Sequence, residues 1–124
     1  MAQNKPRIIK DFEKLDVALQ EQIKLLYPKG FSDHLISFTN REGKLVSGLP
    51  FETDDHYYLV KMTAYEAQQI VDDDKDYDED GVLKDDVRED YEDKYSDLDY
   101  LKEISLFYYK HTSLKEDMSF LQKN

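Results

Sequence analysis

The chain has 124 residues, a net charge of −11 and no cysteine, and these figures exclude several classes of protein. The length suits one domain with a modest core, and the 36% of charged residues implies a wide solvated surface. A chain without cysteine has no disulfides, thiolate nucleophiles or cysteine-ligated zinc. No apolar run approaches the roughly 20 residues that span a bilayer, and the first residues lack the apolar stretch of a signal peptide. We therefore expect a cytoplasmic protein.

The first periodic pattern predicts a helix over residues 12–26. Residues 1–10, before it, are polar and basic, and we expect them to be held loosely except where Ile8 and Ile9 pack. Apolar residues then recur at steps of three or four, at Phe12, Leu15, Leu19, Ile23 and Leu26. The sequence Tyr27-Pro28-Lys29-Gly30 is typical of a helix end.

Three short segments between residues 35 and 62 have the composition of β-strands. Residues 35–39 and 45–51 are rich in β-branched, aromatic and other apolar residues, and the turn at 40–44 between them carries Gly43 where positive φ is needed. Pro50 lacks a donor N–H, so the second strand is expected to stop near it or to lie at an edge. Residues 56–62 predict a third strand, most simply antiparallel to the second.

A helix is predicted directly after the third strand. Thr63 stands three residues before Glu66, the spacing of a capping box, and Ala64, Ala67, Ile70 and Val71 then share one face. Residues 1–71 therefore read as an α+β body, helix-strand-strand-strand-helix, whose helices pack on a three-stranded antiparallel sheet.

The net charge is confined to one part of the chain. Residues 72–99 contain 15 acidic and 4 basic residues and carry −11, whereas the remainder, with 13 of each, is neutral. Repulsion between neighbouring carboxylates predicts an acidic loop over residues 72–86. A field of this sign repels nucleic acid and membrane surfaces and attracts cations and basic protein surfaces.

Residues 87–124 predict acidic and aromatic helices that dock on the body. Val87, Tyr91, Tyr95 and Leu98 form a narrow apolar stripe on an otherwise charged helix. A further helix is predicted to run to about residue 110, and a short last one follows the second capping-box spacing, Ser113 to Glu116.

The acidic loop contains a motif that resembles the first eight positions of an EF-hand calcium loop. The ligands would be the carboxylates of Asp76, Asp78 and Asp80 and the carbonyl of Val82, with Gly81 at the sharp turn. The twelfth position, where the family has a bidentate glutamate, is Val87, and the ninth is Lys84. The alternative is an acidic linker in which the motif arises because nearly every residue is Asp.

The chain has ten tyrosines and six phenylalanines, and they cluster at Tyr57-Tyr58 and at Tyr91, Tyr95, Tyr100, Phe107, Tyr108 and Tyr109. They form either the seam between the C-terminal helices and the body or a docking face, since protein interfaces favour aromatic side chains with a polar tip. The predicted partner-binding residues combine acids with aromatics: Asp85, Asp86, Glu89, Asp90, Tyr91, Tyr95, Tyr108 and Tyr109. They predict a non-enzymatic adaptor or regulator that binds a basic protein surface, such as that of a nucleic-acid-handling protein or a toxin.

Catalytic motifs are not found in the sequence. There is no Gly-x-Ser-x-Gly elbow, phosphate-binding glycine loop or His-Glu-x-x-His pair. His34, His56 and His111 are far apart, which disfavours a zinc site. His56 beside Asp54 and Asp55 is the one conceivable acid–base pair, and we predict a surface histidine instead and a protein that is not an enzyme.

Three segments carry a resemblance to a family of small, acidic, uncharacterised bacterial proteins. They are Tyr27-Pro28-Lys29-Gly30-Phe31, Leu49-Pro50-Phe51-Glu52-Thr53 and the Asp-rich segment. The resemblance implies a bacterial cytoplasmic protein and assigns no site residues.

Overall fold

A computed structural model of the protein describes residues 5–98, which form a four-stranded mixed sheet covered on one face by helices. The strands are β1 (Arg7–Asp11), β2 (Ile36–Thr39), β3 (Leu45–Glu52) and β4 (Tyr57–Lys61), and they lie in the order β1-β4-β3-β2. The α-helices are α1 (Val17–Leu26), α2 (Ala64–Asp73) and α3 (Asp85–Lys94). Short 3₁₀ turns occupy Phe12–Lys14 and Ser32–His34.

The sequence correctly predicts an α+β fold, but the prediction of a three-stranded antiparallel sheet is wrong. Residues 1–10 were expected to be held loosely except where Ile8 and Ile9 pack, but residues 7–11 form a fourth strand that pairs parallel to β4, with Ile9 opposite Leu59. Lys5 fixes the approach to this strand through its ammonium group, which lies 2.6 Å from Glu52 and 2.9 Å from the carbonyl of Thr53. Because the paired residues are fifty positions apart in the sequence, no local pattern predicts this pairing.

The hairpin and the third strand are confirmed. The side chain of Asn40 accepts hydrogen bonds from the backbone of Glu42 (3.0 Å) and Lys44 (2.9 Å), and Gly43 has a φ of +80°. β3 passes through Pro50 to Glu52, further than predicted. Because β2 pairs with β3 only as far as Gly48, Pro50 has a strand neighbour on one side alone and no ladder hydrogen bond is lost there.

The predicted helix over residues 12–26 is divided. Leu15 is extended (φ −80°, ψ 153°) between the 3₁₀ turn and α1, and the side-chain amide of Gln20 donates to the carbonyls of Phe12 (2.9 Å) and Leu15 (3.1 Å). These bonds satisfy carbonyls that a continuous helix would have used. Phe12, Leu15 and Ile23 are nevertheless buried, as the periodicity predicts.

The capping box of α2 is present, and it places this helix on the sheet. The hydroxyl of Thr63 accepts from the Glu66 backbone at 3.0 Å, while the Glu66 carboxylate accepts from the Thr63 backbone at 2.9 Å. Ala67 and Val71 of α2 then pack in one core with side chains from one face of the sheet: Leu49, Phe51, Val60 and the following Met62.

The described residues cover the predicted C-terminal region only as far as Leu98. α3 accounts for the predicted helix around Val87 and Tyr91, whereas the two later predicted helices lie, from residue 99 onwards, outside the described part. Within residues 5–98, no helix is long and apolar enough to cross a bilayer.

Candidate interaction surface

The acidic segment is folded onto the body over most of its length. Its first two residues, Asp72 and Asp73, complete α2, and Asp85 already begins α3. Between the helices, Tyr77 and Leu83 form an isolated antiparallel bridge. The prediction of an acidic loop over residues 72–86 is thus correct only for the compact connection at its centre.

Two apolar side chains anchor this connection in the core. Tyr77 and Leu83 are 5% and 2% exposed. The hydroxyl of Tyr77 donates to the carbonyl of Tyr27 at 2.9 Å, and the Leu83 backbone donates to the carbonyl of Pro28 at 2.7 Å. The helix-ending sequence around Pro28 therefore also receives the acidic segment.

A buried lysine supplies the charge that allows the segment to approach. The ammonium of Lys24, on α1, lies 2.6 Å from Asp74 and 2.9 Å from Asp76, and the side chains are 9%, 17% and 14% exposed. The Tyr91 hydroxyl of α3 donates to the same Asp76 oxygen at 2.6 Å. We call Lys24, Asp74, Asp76 and Tyr91 the lysine cluster.

Hydrogen bonds within the lysine cluster keep Lys24 and Asp76 in their charged forms. Burial disfavours the ammonium form of Lys24, but hydrogen bonds to Asp74 and Asp76 outweigh burial and raise its pKa. Burial likewise opposes ionisation of Asp76, but the bonds from Lys24 and Tyr91 lower its pKa. Burial and the hydrogen bond to Asp76 raise the pKa of Tyr91. Lys24 is therefore held as a cation and does not have the depressed pKa of a catalytic amine.

Glu21 makes a second polar contact between α1 and α3. Its carboxylate lies 2.9 Å from the ammonium of Lys94 and accepts from the Tyr95 hydroxyl at 2.6 Å. Tyr95 is 9% exposed, and Tyr91 is half-buried. Both tyrosines, predicted as partner-binding residues, lie in the seam between α3 and the body, which was the other interpretation of the aromatic cluster. Tyr108 and Tyr109 lie outside the described residues.

The predicted calcium ligands do not converge. Asp76 points to Lys24, while a side-chain oxygen of Asp78 accepts from the backbones of Asp80 (2.8 Å) and Val82 (3.0 Å). The Val82 carbonyl accepts from the Asp78 backbone at 2.8 Å. No group of three His, Asp or Glu side chains in residues 5–98 is placed to hold a metal ion. A calcium ion bound by Asp76 would have to displace Lys24.

The remaining acids point outward. Of the fourteen acidic residues between Asp72 and Asp97, all except Asp74 and Asp76 are exposed, and only four basic residues accompany them. The exposed charge is therefore −8, from twelve acids and four bases. We call these twelve the acidic surface: Asp72, Asp73, Asp78, Glu79, Asp80, Asp85, Asp86, Glu89, Asp90, Glu92, Asp93 and Asp97. It includes the four carboxylates predicted to bind a partner, Asp85, Asp86, Glu89 and Asp90.

The histidine considered as an acid–base residue lies in a turn that Thr53 organises. The Thr53 hydroxyl accepts from the backbones of Asp55 (3.2 Å) and His56 (3.1 Å). The His56 ring packs against Tyr58, with centroids 5.7 Å apart, and the side chains of Asp54 and Asp55 are exposed. The turn thus has a structural explanation that requires no proton transfer.

The fold and this surface define a small α+β protein in which the lysine cluster holds an acidic segment whose other carboxylates face outward. No protein-family model, curated protein or solved structure matches the chain.

Proposed function

We propose that this protein is a non-enzymatic adaptor or regulator of the bacterial cytoplasm that binds a basic surface of another protein through its acidic surface. The observation that carries the proposal is the division of the carboxylates. Asp74 and Asp76 are both bound by Lys24, and this fixes in place a segment whose other acids remain exposed.

Fixing the acids before binding lowers the cost of association. A disordered acidic tail loses backbone and side-chain freedom when it docks, whereas α2 and α3 already hold their carboxylates on folded elements. Exposed charge also steers a partner of opposite sign and speeds encounter at low ionic strength. The partner would be a protein with a basic surface, such as a nucleic-acid-handling protein or a toxin. On that surface, the carboxylates of the acidic surface would take the place of phosphate groups.

Two charge variants test this proposal. The surface variant carries Asp86→Asn, Glu89→Gln, Asp90→Asn and Asp93→Asn on α3. The control variant carries Asp33→Asn, Glu42→Gln, Asp54→Asn and Asp55→Asn at exposed positions away from the acidic surface. Each changes the net charge from −11 to −7, so any difference between them reports where the charge lies.

The measurement is capture of proteins from a bacterial lysate by each immobilised full-length chain, at low and high salt. The wild type and the control variant should retain the same basic proteins, and salt should release them, because screening lengths shorten from ~10 Å at 0.1 M to ~3 Å at 1 M. The surface variant should retain much less. Equal capture by the two variants, or capture that salt does not weaken, would contradict the proposal.

Calcium binding by Asp76, Asp78, Asp80 and the Val82 carbonyl is the alternative function. Calorimetric titration of the wild type with calcium chloride tests it directly. Heat at millimolar metal that disappears in Asp78→Asn would support calcium binding, and the absence of heat would remove it.

A further inference from the structure

The sheet has a second face, which we call the outer face, opposite the one that carries the core. The pairing register places twelve residues there: Arg7, Ile9, Asp11, Ile36, Phe38, Val46, Gly48, Pro50, Glu52, Tyr57, Leu59 and Lys61. None of the apolar residues among them belongs to the core cluster or packs against it. The helices among residues 5–98 therefore leave this face uncovered.

Seven of the twelve residues on the outer face are apolar or aromatic, and the four charged ones are Arg7, Asp11, Glu52 and Lys61. A solvated sheet face normally alternates polar residues with the apolar residues of the core side. Here the outer positions include Ile9, Ile36, Phe38, Val46 and Leu59, and the first two are 43% and 45% exposed. An apolar patch that runs across all four strands indicates that something covers it.

The chain beyond Leu98 has the composition to do so. Residues 99–124 include eleven large apolar or aromatic residues: Tyr100, Leu101, Ile104, Leu106, Phe107, Tyr108, Tyr109, Leu114, Met118, Phe120 and Leu121. Four acidic and four basic residues balance one another there, in contrast with the acidic surface before them. The outer face has no net charge that would attract or repel a charged segment. A neutral apolar segment, by contrast, gains most from leaving water there.

The segment also has the reach to cross from one side of the sheet to the other. It begins after Leu98, which packs against the core on the helix side. Twenty-six residues extend to as much as ~85 Å, at ~3.3 Å per residue. A domain of this size has a radius of gyration of only about 13 Å. A tether this short also gives the segment a millimolar effective concentration, which a second copy reaches only in concentrated solution.

We propose that residues 99–124 dock in cis on the outer face of the sheet, through their aromatic and aliphatic side chains. The covered protein then has three layers, with helices on one side of the sheet and the C-terminal segment on the other. This proposal is independent of the acidic surface, since it concerns the opposite face of the sheet.

Paramagnetic labels on the full-length chain test the proposal, because the chain has no native cysteine to interfere. A nitroxide is attached at Lys61→Cys, an exposed position on the outer face, and in a matched sample at Asp72→Cys, an exposed position on α2. The Lys61 label should broaden the amide signals of Ile104, Phe107 and Leu121, whereas the Asp72 label should leave them sharper.

Equal broadening by the two labels, or none from the Lys61 label, would overturn the proposal. A mixture of isotope-labelled chains without nitroxide and unlabelled chains with nitroxide distinguishes docking within one chain from docking by a second copy. Broadening that persists in this mixture would assign the face to a second copy and also overturn docking in cis.

A pair of surface variants provides an independent readout. Ile9→Lys places a charge on the outer face, and Val17→Lys places the same charge on α1, where Val17 is 66% exposed. With the nitroxide at Lys61→Cys, Ile9→Lys should abolish the broadening and Val17→Lys should preserve it. Preserved broadening in Ile9→Lys would overturn the proposed contact.

Discussion

Lys24 shows how one side chain decides the path of an acidic segment. Its side chain is 9% exposed, and its ammonium contacts two carboxylates that lie about fifty residues later in the chain. Removing one partner of a buried ion pair leaves the other charge without compensation, which is more harmful than replacing the whole group by apolar residues. The lysine cluster is therefore expected to be the most sensitive polar group among the described residues.

The substitution Lys24→Met tests this expectation. The thioether occupies a similar volume but leaves Asp74 and Asp76 without their cation, so we expect a loss of about 3–5 kcal/mol in the free energy of unfolding, measured by urea denaturation. Lys29→Met, at an exposed position just after α1, should change it by less than about 0.5 kcal/mol. Similar values for the two variants would show that the lysine cluster contributes little to stability.

The same cluster predicts a dependence of stability on pH at both extremes. The pKa of Asp76 is lowered, so its contribution is present above its ordinary value of 3.8 and is lost as pH falls through the folded value below that. The pKa of Lys24 is raised, so its contribution is present below 10.5 and is lost as pH rises through the folded value above it.

Tyr27 adds to the alkaline side of this profile. Its burial raises the pKa to about 12, and its hydroxyl donates to the Pro50 carbonyl at 2.5 Å. Urea denaturation across the pH range should show stability falling below about pH 4 and above about pH 10. The Lys24→Met variant should lose much of the acidic fall, and an unchanged profile would contradict the assigned roles.

The elements differ in how far the sequence predicts them. The hairpin, β4 and α2 follow from signals within a few residues, namely Asn40 and Gly43 in the turn and the Thr63–Glu66 capping box. β1 has only two apolar residues, Ile8 and Ile9, and its parallel partner lies fifty positions away. Its pairing depends on the completed β3–β4 sheet and cannot be derived from local pattern.

The hairpin contains a position where a side chain is excluded. A Cβ on Gly48 would lie 2.9 Å from the Phe38 ring and 3.2 Å from the Val60 carbonyl oxygen. Gly48→Ala must displace the ring, and we expect a loss of about 1–3 kcal/mol in unfolding free energy. The double variant Gly48→Ala, Phe38→Leu should recover part of it, measured by a double-mutant cycle. If the changes in unfolding free energy of the two substitutions are additive, the strain in Gly48→Ala does not come from the Phe38 ring.

At the scale of the whole molecule, charge composition predicts a segment's sign but not its course. Repulsion among the acids suggested a loop, yet the segment forms the end of α2, a bridged turn and α3. Its fold depends on Lys24, Tyr27 and Pro28, which belong to a distant part of the sequence. The acids of the candidate surface were predictable because exposure is the normal state of a carboxylate. The sequence left two places open for Tyr91 and Tyr95, the seam and a docking face, and the structure places both in the seam.

The acidic surface also predicts a response to salt. Repulsion among its exposed carboxylates opposes folding at low ionic strength, and it is screened when the Debye length falls from ~30 Å at 0.01 M to ~8 Å at 0.15 M. We expect sodium chloride to raise the melting temperature of the wild type by a few degrees, measured by circular dichroism. The surface variant should begin higher and respond less than the control variant. Equal responses would mean that these carboxylates do not repel one another appreciably.

The parallel pairing of β1 with β4 has a consequence for the order of events on the ribosome. β1, at residues 7–11, leaves the exit tunnel before the other three strands, yet its partner at residues 57–61 is synthesised last among them. In the nascent chain, β1 therefore remains unpaired until the hairpin and β4 have emerged and β1 can pair with β4. Arrested chains that end before β4 has cleared the tunnel should remain sensitive to protease near Ile8.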